Sequence, residues 1–221
     1  MMRIAVLGAS GRTGQYLVKQ AIDKGYGVTA VVRDPGKVGV SHDRLKVVKG
    51  DVFSEASLRP LLQGHDAVLS CLGFPISPVF GVTGYTGSMR AVVRAMQGAG
   101  VNRLITMTSW YTDPTSLTGV AVLFRLFLLT TIQSVLSNMH EMEHTLKKIH
   151  NIDWTVVRPP GLRDEPATAK EFLTNEGYWV PDPSGIPIGR HAVARGDVAR
   201  FMLDVLDRNS WIQKSIAMTT K

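Results

Sequence analysis

The sequence contains little cysteine, few charged residues and no long apolar run. Its one cysteine, Cys71, excludes an internal disulfide and a zinc site made of several thiolates. Charged residues make up 19% of the 221 residues and hydrophobic residues 44%, so the chain is not of the disordered class and has enough apolar side chains for a core. At this length, that composition predicts one folded domain.

The longest apolar stretch, residues 117–132, carries Arg125 near its middle. It is shorter than the roughly 20 apolar residues that cross a bilayer, so we expect no stable membrane insertion. We expect the stretch to form a buried helix or a surface for self-association. The apolar run before Gly8 is too short for the core of a signal peptide. Together with the single cysteine, this predicts a cytoplasmic protein.

The positive charges outnumber the negative ones: 25 Lys and Arg face 18 Asp and Glu, for a net charge of +7. Such a balance favours anionic ligands. The basic residues are nevertheless scattered singly along the chain, and no nucleic-acid-binding motif is present. We therefore expect an anionic small molecule, which needs only a few well-placed cations, and no nucleic acid.

Short apolar segments alternate with longer helical patterns along most of the chain. Continuous apolar strands separated by helices predict an α/β protein of one domain (1–221), a Rossmann-like doubly wound parallel sheet. Residues 162–190 are rich in Gly, Pro and Asp and predict a loop-rich flap over the carboxyl edge of the sheet. The expected strands are 4–7, 27–32, 45–49, 67–71, 104–108 and 155–157, and the expected helices are 14–24, 58–62, 86–98, 139–150 and 197–206.

A glycine-rich loop joins the first expected strand to the first helix. Glycine permits both the tight turn and the close approach of the backbone to a pyrophosphate. The free N–H groups at the start of the helix then bind the anion. This context predicts a dinucleotide site. The residues expected to hold the pyrophosphate are Gly8, Ser10, Gly11, Arg12, Thr13 and Gly14.

The ends of the second and third strands bear on the choice of cofactor. The guanidinium of Arg33 can bind a 2′-phosphate through two hydrogen bonds, and Lys37 adds charge to the same corner. This favours NADP(H), whereas a shift of one residue would make Asp34 the acid that holds the ribose of NAD. The Asp51 carboxylate is expected to bind the adenine amino group, or to cap the next helix, while Val52 packs against the ring.

The motifs resemble the atypical short-chain dehydrogenase/reductase group with its NmrA-like proteins, and more closely the biliverdin reductase B (flavin reductase) family. The resemblance covers nearly the whole chain. It implies NADP(H) as cofactor and hydride transfer to a flavin or tetrapyrrole. The motifs are GASGRTG, VVRD, GDV, Met107-Thr108-Ser109, Val157-Arg158-Pro159-Pro160, and His140 and His144 placed before Ile152-Asp153-Trp154. The nicotinamide site that the resemblance implies is shaped by Leu72, Gly73, His140 and Pro160.

The chain lacks the Tyr-x-x-x-Lys pair of ordinary short-chain dehydrogenases. Leu136 and His140 stand where that pair would fall. A planar conjugated acceptor can take its proton from water, so a dedicated protein acid matters less. Two departures from the resembled family concern the substrate site: Gly161 replaces a histidine after the two prolines, and the apolar stretch 117–132 is longer.

Residues 140–144, His-Glu-Met-Glu-His, also match the H-E-x-x-H signature of zinc proteases. On a helix, His140 and His144 would share a face, with Glu141 as a base and Glu165 as a third ligand. The motif lies in a nucleotide-binding chain, and its histidine pair has a counterpart in the reductase family without zinc. We therefore expect no metal.

Ser109 ends the fifth strand, where a nicotinamide should lie, and is our candidate for the polar group that positions the substrate. Its alternative role is to cap a helix. Phe74, Trp110 and Tyr111 are suited to stack a planar ring, to form a lid or to fill the core. The sequence thus predicts an NADPH-dependent reductase of a flavin, quinone or tetrapyrrole-like acceptor.

Two other functions remain open at this point. A non-catalytic NADP(H) sensor of the NmrA-like type, acting through a protein partner, is consistent with the missing Tyr-Lys pair. An isomerase or epimerase would need an acid/base pair that the sequence does not show.

Overall fold

The computed structural model describes residues 1–75, 81–117, 126, 128–188 and 192–221; of residues 128 and 129 only the backbone is described. The strands are β1 (Arg3–Leu7), β2 (Gly27–Val32), β3 (Leu45–Lys49), β4 (Ala67–Ser70), β5 (Arg103–Met107), β6 (Asp153–Arg158), β7 (Gly161–Arg163), β8 (Phe172–Asn175), β9 (Ala192–Ala194) and β10 (Lys214–Thr220). The helices are α1 (Arg12–Asp23), α2 (Glu55–Leu62), α3 (Gly84–Ala99), α4 (Gln133–Lys147) and α5 (Arg195–Asp207). A π-helical turn, Leu128–Ile132, leads into α4.

The main sheet has the strand order β3-β2-β1-β4-β5-β6-β10-β8. Every neighbouring pair is parallel except β8, which runs antiparallel to β10. The chain moves outward from β1 to β3 and then returns to β4 on the other side of β1. This reversal makes the carboxyl ends of β1 and β4 the place where ligands bind in such sheets. The predicted fold class is confirmed.

Helices cover both faces of the sheet because its central strands are apolar on both sides. Helices α1 and α5 pack on one face, where Leu17 and Met202 contact the core around Ile4. Helices α2, α3 and α4 cover the other face, where Met89 packs with Leu104. The central strands are therefore buried on both faces.

Strand β10 was not expected from the sequence. It lies between β6 and β8, and its last residues, Thr219 and Thr220, are buried. In the sequence, two threonines follow a short apolar run, a pattern that is typical of an exposed segment. Here β10 is covered on both faces, because Met218 packs in the cluster that contains α5 and Ala217 packs with Trp110 and Leu136 on the other side. The partner strand β8 falls inside residues 162–190, so part of the expected flap belongs to the sheet.

Helix α4 begins at Gln133 and ends at Lys147, whereas the sequence predicted residues 139–150. Polar residues dominate its first turns, so the apolar stripe of Val135, Leu136 and Met139 is hard to recognise. The remaining expected elements agree with the structure or differ by a few residues at their ends. Such shifts at helix and strand ends are common.

Within the described part of the chain, no helix is long and apolar enough to cross a bilayer. Residues 118–125 and 127, which make up more than half of the apolar stretch 117–132, lie outside the described residues. The expectation that this stretch is buried or mediates self-association therefore stays a prediction.

Candidate functional site

Two adjoining clefts follow the carboxyl edge of the sheet at the strand reversal. After the groups that the sequence analysis predicts there, we call them the adenine cleft, with a volume of about 200 Å³, and the acceptor cleft, with a volume of about 450 Å³. They share Gly11 and the segment 71–73 and so form one groove. The adenine cleft is lined by Gly8, Ser10, Gly11, Val31, Val32, Arg33, Val52, Phe53, Cys71, Leu72, Gly73, Phe74 and Pro75. The acceptor cleft is lined by Gly11, Arg12, Thr13, Cys71, Leu72, Gly73, Tyr85, Met107, Thr108, Ser109, Ile132, Val135, Leu136, Met139, Pro160, Gly161, Leu162 and Arg195.

The glycine-rich loop is shaped by contacts that leave no room for a side chain. Gly8 has a φ of 76°, a left-handed conformation that favours glycine. A Cβ on Gly14 would lie 2.2 Å from the Gly8 carbonyl oxygen. The absence of a side chain at Gly14 therefore lets the start of α1 pack directly on the backbone of Gly8. Unlike Gly8 and Gly11, Gly14 lines neither cleft.

The start of α1 is available to an anion. Its N-cap, Gly11, has no side chain to satisfy the first N–H groups, and the first turn contains no acidic residue. Free N–H groups and the positive end of the helix dipole therefore face the groove. Among the predicted pyrophosphate residues, Arg12 also lies 4.0 Å from the Asp164 carboxylate, with both side chains more than half exposed.

The corner beside Arg33 contains a second cation that the sequence analysis missed. A cavity of about 420 Å³ is lined by Arg33, Lys49, Gly50, Asp51 and Ser57. Lys49 reaches this corner because β2 and β3 pair with Val32 opposite Lys49. The signal was present in the sequence as a lysine at the end of the third expected strand. Lys37 does not line this cavity.

Asp34 is turned toward its own loop. Its carboxylate accepts a hydrogen bond from the Gly36 N–H at 3.1 Å and lies 4.0 Å from the Lys37 ammonium. These local contacts explain why neither Asp34 nor Lys37 is among the residues that line the adenine cleft.

At the adenine end, Val52 lines the cleft as expected and is joined by Phe53, whose side chain is 53% exposed. The Asp51 carboxylate accepts the Phe53 N–H at 2.9 Å. The N-cap of α2 is Ser54, which accepts the Ser57 N–H at 3.2 Å, so Asp51 does not cap that helix. An exposed aromatic ring beside an apolar cleft is suited to stack on a planar ligand.

The structure brings together Ser109, Leu72, Gly73 and Pro160 in the acceptor cleft. The opposite wall is apolar and comes from the start of α4. Ile132, Val135, Leu136 and Met139 share one helix face there. Leu136, at the position of the missing tyrosine, thus presents a hydrocarbon side chain to the cleft.

The acceptor cleft has no carboxylate and no imidazole among its described lining residues. Its titratable side chains are two arginines, Tyr85 and Cys71. Burial raises the pKa of the Cys71 thiol to about 12. Burial also raises the pKa of the Tyr85 phenol, although the Phe74 backbone opposes that shift. Neither group exchanges a proton readily near neutral pH.

His140, which the resemblance to the reductase family placed near the nicotinamide, is not among the described lining residues of either cleft. It is one position further round α4 than Met139, and its Nε2 lies 3.0 Å from the His144 Nε2. Burial lowers the pKa of His140, and the charge of His144 lowers it further. Glu141, the base of the zinc-protease motif, lies 3.7 Å from Arg90. The described residues contain no group of three metal-ligating side chains.

Behind the acceptor cleft lies a buried ion pair, Glu143 with Arg158, each no more than 2% exposed. Thr108 Oγ1 donates to Glu143 Oε1 at 2.7 Å, and Arg158 Nη1 donates to the Gly177 carbonyl at 2.9 Å. The pair therefore links the end of β5 to α4, β6 and the flap. Sequence analysis missed it because its members come from distant segments.

The aromatic residues near the strand ends have different surroundings. Trp110 and Tyr111 are at most 5% exposed and belong to a core cluster with Leu136 and Val180. Phe74 lines the adenine cleft and packs edge-on against Tyr85, with ring centroids 5.0 Å apart. Of the described residues in the expected flap, Leu162 reaches the acceptor cleft.

Arg195, the first residue of α5, is a further groove residue that sequence analysis did not find. Its Nη1 donates to Thr13 Oγ1 at 3.1 Å. The two residues are 182 positions apart, and no local pattern around Arg195 marks it as part of the groove.

Comparison with known proteins finds relatives in sequence and in fold. The chain is 29% identical over 188 residues to an uncharacterized chloroplastic protein of Arabidopsis thaliana; the match covers 79% of the chain and 64% of that relative. An oxidoreductase from Lactococcus lactis has a similar structure, with a TM-score of 0.81, 21% identity, and 100% and 91% of the two chains covered. A candidate NADH-flavin reductase from Streptococcus pneumoniae has a TM-score of 0.76, 21% identity and full coverage of both chains. These two structures share the fold.

A model of one protein family covers most of the chain and includes the glycine loop, the strand ends and both clefts. It matches residues 8–209, and the chain therefore belongs to the NAD(P)H-binding family that this model describes.

Proposed function

We propose that the protein is an NADPH-dependent reductase that passes hydride directly to a planar, conjugated acceptor such as a flavin, a quinone or a tetrapyrrole. The observation that carries this proposal is the acceptor cleft. It continues the dinucleotide groove, has an apolar wall, and has no carboxylate or imidazole among its described lining residues. The resemblance to the flavin reductase family supports the same reading.

The preference for NADPH rests on the corner beside the adenine cleft. Arg33 and Lys49 line one cavity there, and both are cations that can bind a 2′-phosphate. Asp34, the residue that would favour NAD, is engaged by its own turn. Lys37 contributes at longer range through the positive field of this corner.

The residues of the acceptor cleft bind and orient rather than exchange protons. Bound NADPH would supply the hydride. Leu72, Gly73 and Pro160 shape the place for the nicotinamide, and the hydroxyl of Ser109 is suited to hold the acceptor or the carboxamide in position. The hydrocarbon wall around Leu136 excludes water from one face of the acceptor. Reduction of a conjugated centre then takes its proton from solvent at the open side.

The alternative is a redox sensor that binds NADP(H) without turnover. It is favoured by the same lack of an acid or base in the cleft, and by the buried ion pair that ties the end of β5 to the flap. A sensor needs a difference in shape between cofactor states, which such a link could transmit to a protein partner.

The test is oxidation of NADPH, followed by its absorbance, with FMN, menadione and biliverdin as separate acceptors. Turnover with one or more of them supports the reductase. Tight NADPH binding with no oxidation of any acceptor contradicts it and leaves the sensor. Ser109→Ala should lower the rate of turnover more than it lowers NADPH affinity, because the hydroxyl positions the reacting groups while the cofactor keeps its contacts at the glycine loop and beside Arg33. Thr174→Ala, an exposed change far from the groove, is the matched control.

A further inference from the structure

Arg195 has no carboxylate partner among the described residues, although Asp197 is two positions along the chain and the Glu165 backbone accepts a hydrogen bond from the Gly196 N–H at 3.1 Å. Asp197 is held by Arg200 at 3.0 Å and by Thr168. Glu165 pairs with Arg163 at 3.1 Å. The Arg195 guanidinium donates to the hydroxyl of Thr13, and its buried Nε has no acceptor among the described residues.

The surroundings of Arg195 are already positive. It is the first residue of α5, whose N-cap, Ala194, makes no side-chain hydrogen bond; the acidic residue in the first turn, Asp197, is already paired with Arg200 and Thr168. The start of α1 lies beside it, as the contact with Thr13 shows, and is also without a side-chain cap. Gln20 Nε2 donates to the Gly196 carbonyl at 2.9 Å and fastens the two helices together. A guanidinium between two positive helix ends is unfavourable unless an anion shares the space.

We infer that Arg195 binds the diphosphate of the dinucleotide, opposite the N–H groups of the glycine loop. This inference rests on the proposed function, because it takes the groove to be a dinucleotide site. Its support is independent of the motif: Arg195 lines the same cleft as Gly11, Arg12 and Thr13 and has donors to spare. Thr13 acts as a positioning residue, since its hydroxyl holds the guanidinium at the loop.

A diphosphate contact has a signature that a 2′-phosphate or an acceptor contact lacks. NADPH and NADH share the diphosphate, so loss of Arg195 should lower the affinity for both nucleotides by the same factor. Hydrogen bonds to charged groups correspond to a change of about tenfold to a hundredfold in affinity. Loss of Arg33 should by contrast lower the affinity for NADPH alone.

The experiment measures binding of NADPH and of NADH, by nucleotide fluorescence, to the wild type and to Arg195→Met, Arg195→Lys and Arg208→Met. Arg208→Met removes the same charge just after the same helix, outside the groove. We expect an equal loss for both nucleotides in Arg195→Met, partial recovery in Arg195→Lys and no change in Arg208→Met. Thermal unfolding of the ligand-free variants shows whether Arg195→Met folds; if it does not, Arg195→Lys against Arg208→Met carries the test, with a smaller equal loss expected.

Two results overturn the inference: unchanged affinity for both nucleotides, or a loss confined to NADPH. Failure of the proposed function looks different: the wild type itself would then bind neither nucleotide, or would bind NADPH and oxidise it with none of the acceptors.

Discussion

The two ends of the groove are built in different ways. The adenine end is made of short contiguous stretches at the ends of strands: the glycine loop, 31–33, 49–53 and 71–75. To the glycine loop and 71–73, which both ends share, the acceptor end adds residues from β5, α4, the β6–β7 turn and α5. Its support is the buried pair of Glu143 and Arg158. The first end depends on local backbone shape and exposed charge, the second on tertiary packing.

This difference indicates where binding and specificity reside. The adenine end offers N–H groups, cations and an exposed ring to a cofactor that many proteins share. The acceptor end offers a shaped apolar wall whose position depends on a buried network. Substitutions at the first end should therefore change cofactor affinity, and substitutions behind the second should change stability.

The largest expected effect comes from Glu143→Gln. It leaves the Arg158 guanidinium buried with its charge uncompensated, which typically costs about 3–5 kcal/mol. Urea unfolding of the variant measures the loss. The double variant Glu143→Gln with Arg158→Met should regain much of it, because no buried charge then remains. A loss below about 1 kcal/mol in the single variant would show that the pair does not support the acceptor end.

Gly14→Ala should come next, at the adenine end. The new Cβ would meet the Gly8 carbonyl oxygen at 2.2 Å, and overpacking of this kind costs about 1–3 kcal/mol. The unfolding temperature and the affinity for NADPH should both fall. Gly87→Ala is the matched control in α3, where the Cβ would meet the ring of Phe53 at 3.5 Å, an ordinary contact. The control should be neutral or slightly stabilising, since alanine favours a helix.

Cys71 lies where the two clefts meet. Its thiol should make the free energy of unfolding fall as the pH rises above 9. Its folded pKa of about 12 lies above the ordinary value of 9.0, so the thiol favours the folded state below pH 9. That contribution is lost as the pH rises from 9 toward 12, because the unfolded chain then releases a proton that the folded chain keeps. The loss is about 2 kcal/mol at pH 10.5.

The measurement compares unfolding free energies at pH 8 and pH 10.5 for the wild type and Cys71→Ala. The variant removes only the cysteine contribution, so the tyrosines titrate equally in both proteins. Equal pH dependence of the two would mean that the thiol is not shielded from solvent.

The smallest effect in free energy is expected from the cations of the adenine end. Arg33→Ala or Lys49→Ala should lower NADPH affinity about tenfold each, because each removes one charge-assisted contact to the 2′-phosphate. NADH affinity should stay the same, which distinguishes this corner from Arg195. Lys37→Ala serves as a comparison and should lose less. If NADH weakened equally, the cofactor preference proposed above would be wrong.

The same division explains what the sequence could predict. The glycine loop, Arg33 and Val52 are recognisable because each follows an apolar strand at a fixed spacing, and parallel strands bring their ends together. Lys49 and Phe53 lie in equally local positions and were recoverable from the same argument. The fold followed from the alternation of strands and helices.

The acceptor end was harder to predict because its contacts join distant positions. Arg195 meets Thr13 across 182 positions, and Glu143 meets Arg158 only because α4 packs behind β6. His140 lies one position away from the helix face that lines the cleft, a difference that depends on the rotation of α4. Strand β10 was missed because its threonines are buried by neighbours that no local pattern reveals.

Strand β10 has a consequence for how the chain is assembled during translation. It follows every other strand of the main sheet in sequence, yet it lies between β6 and β8. Until the ribosome has released residues 214–220, β6 has an unpaired edge and β8 has no neighbour in the sheet. Such an edge is open to pairing with other chains. Slow synthesis of this last segment should therefore favour capture by chaperones or aggregation more than a pause elsewhere in the chain.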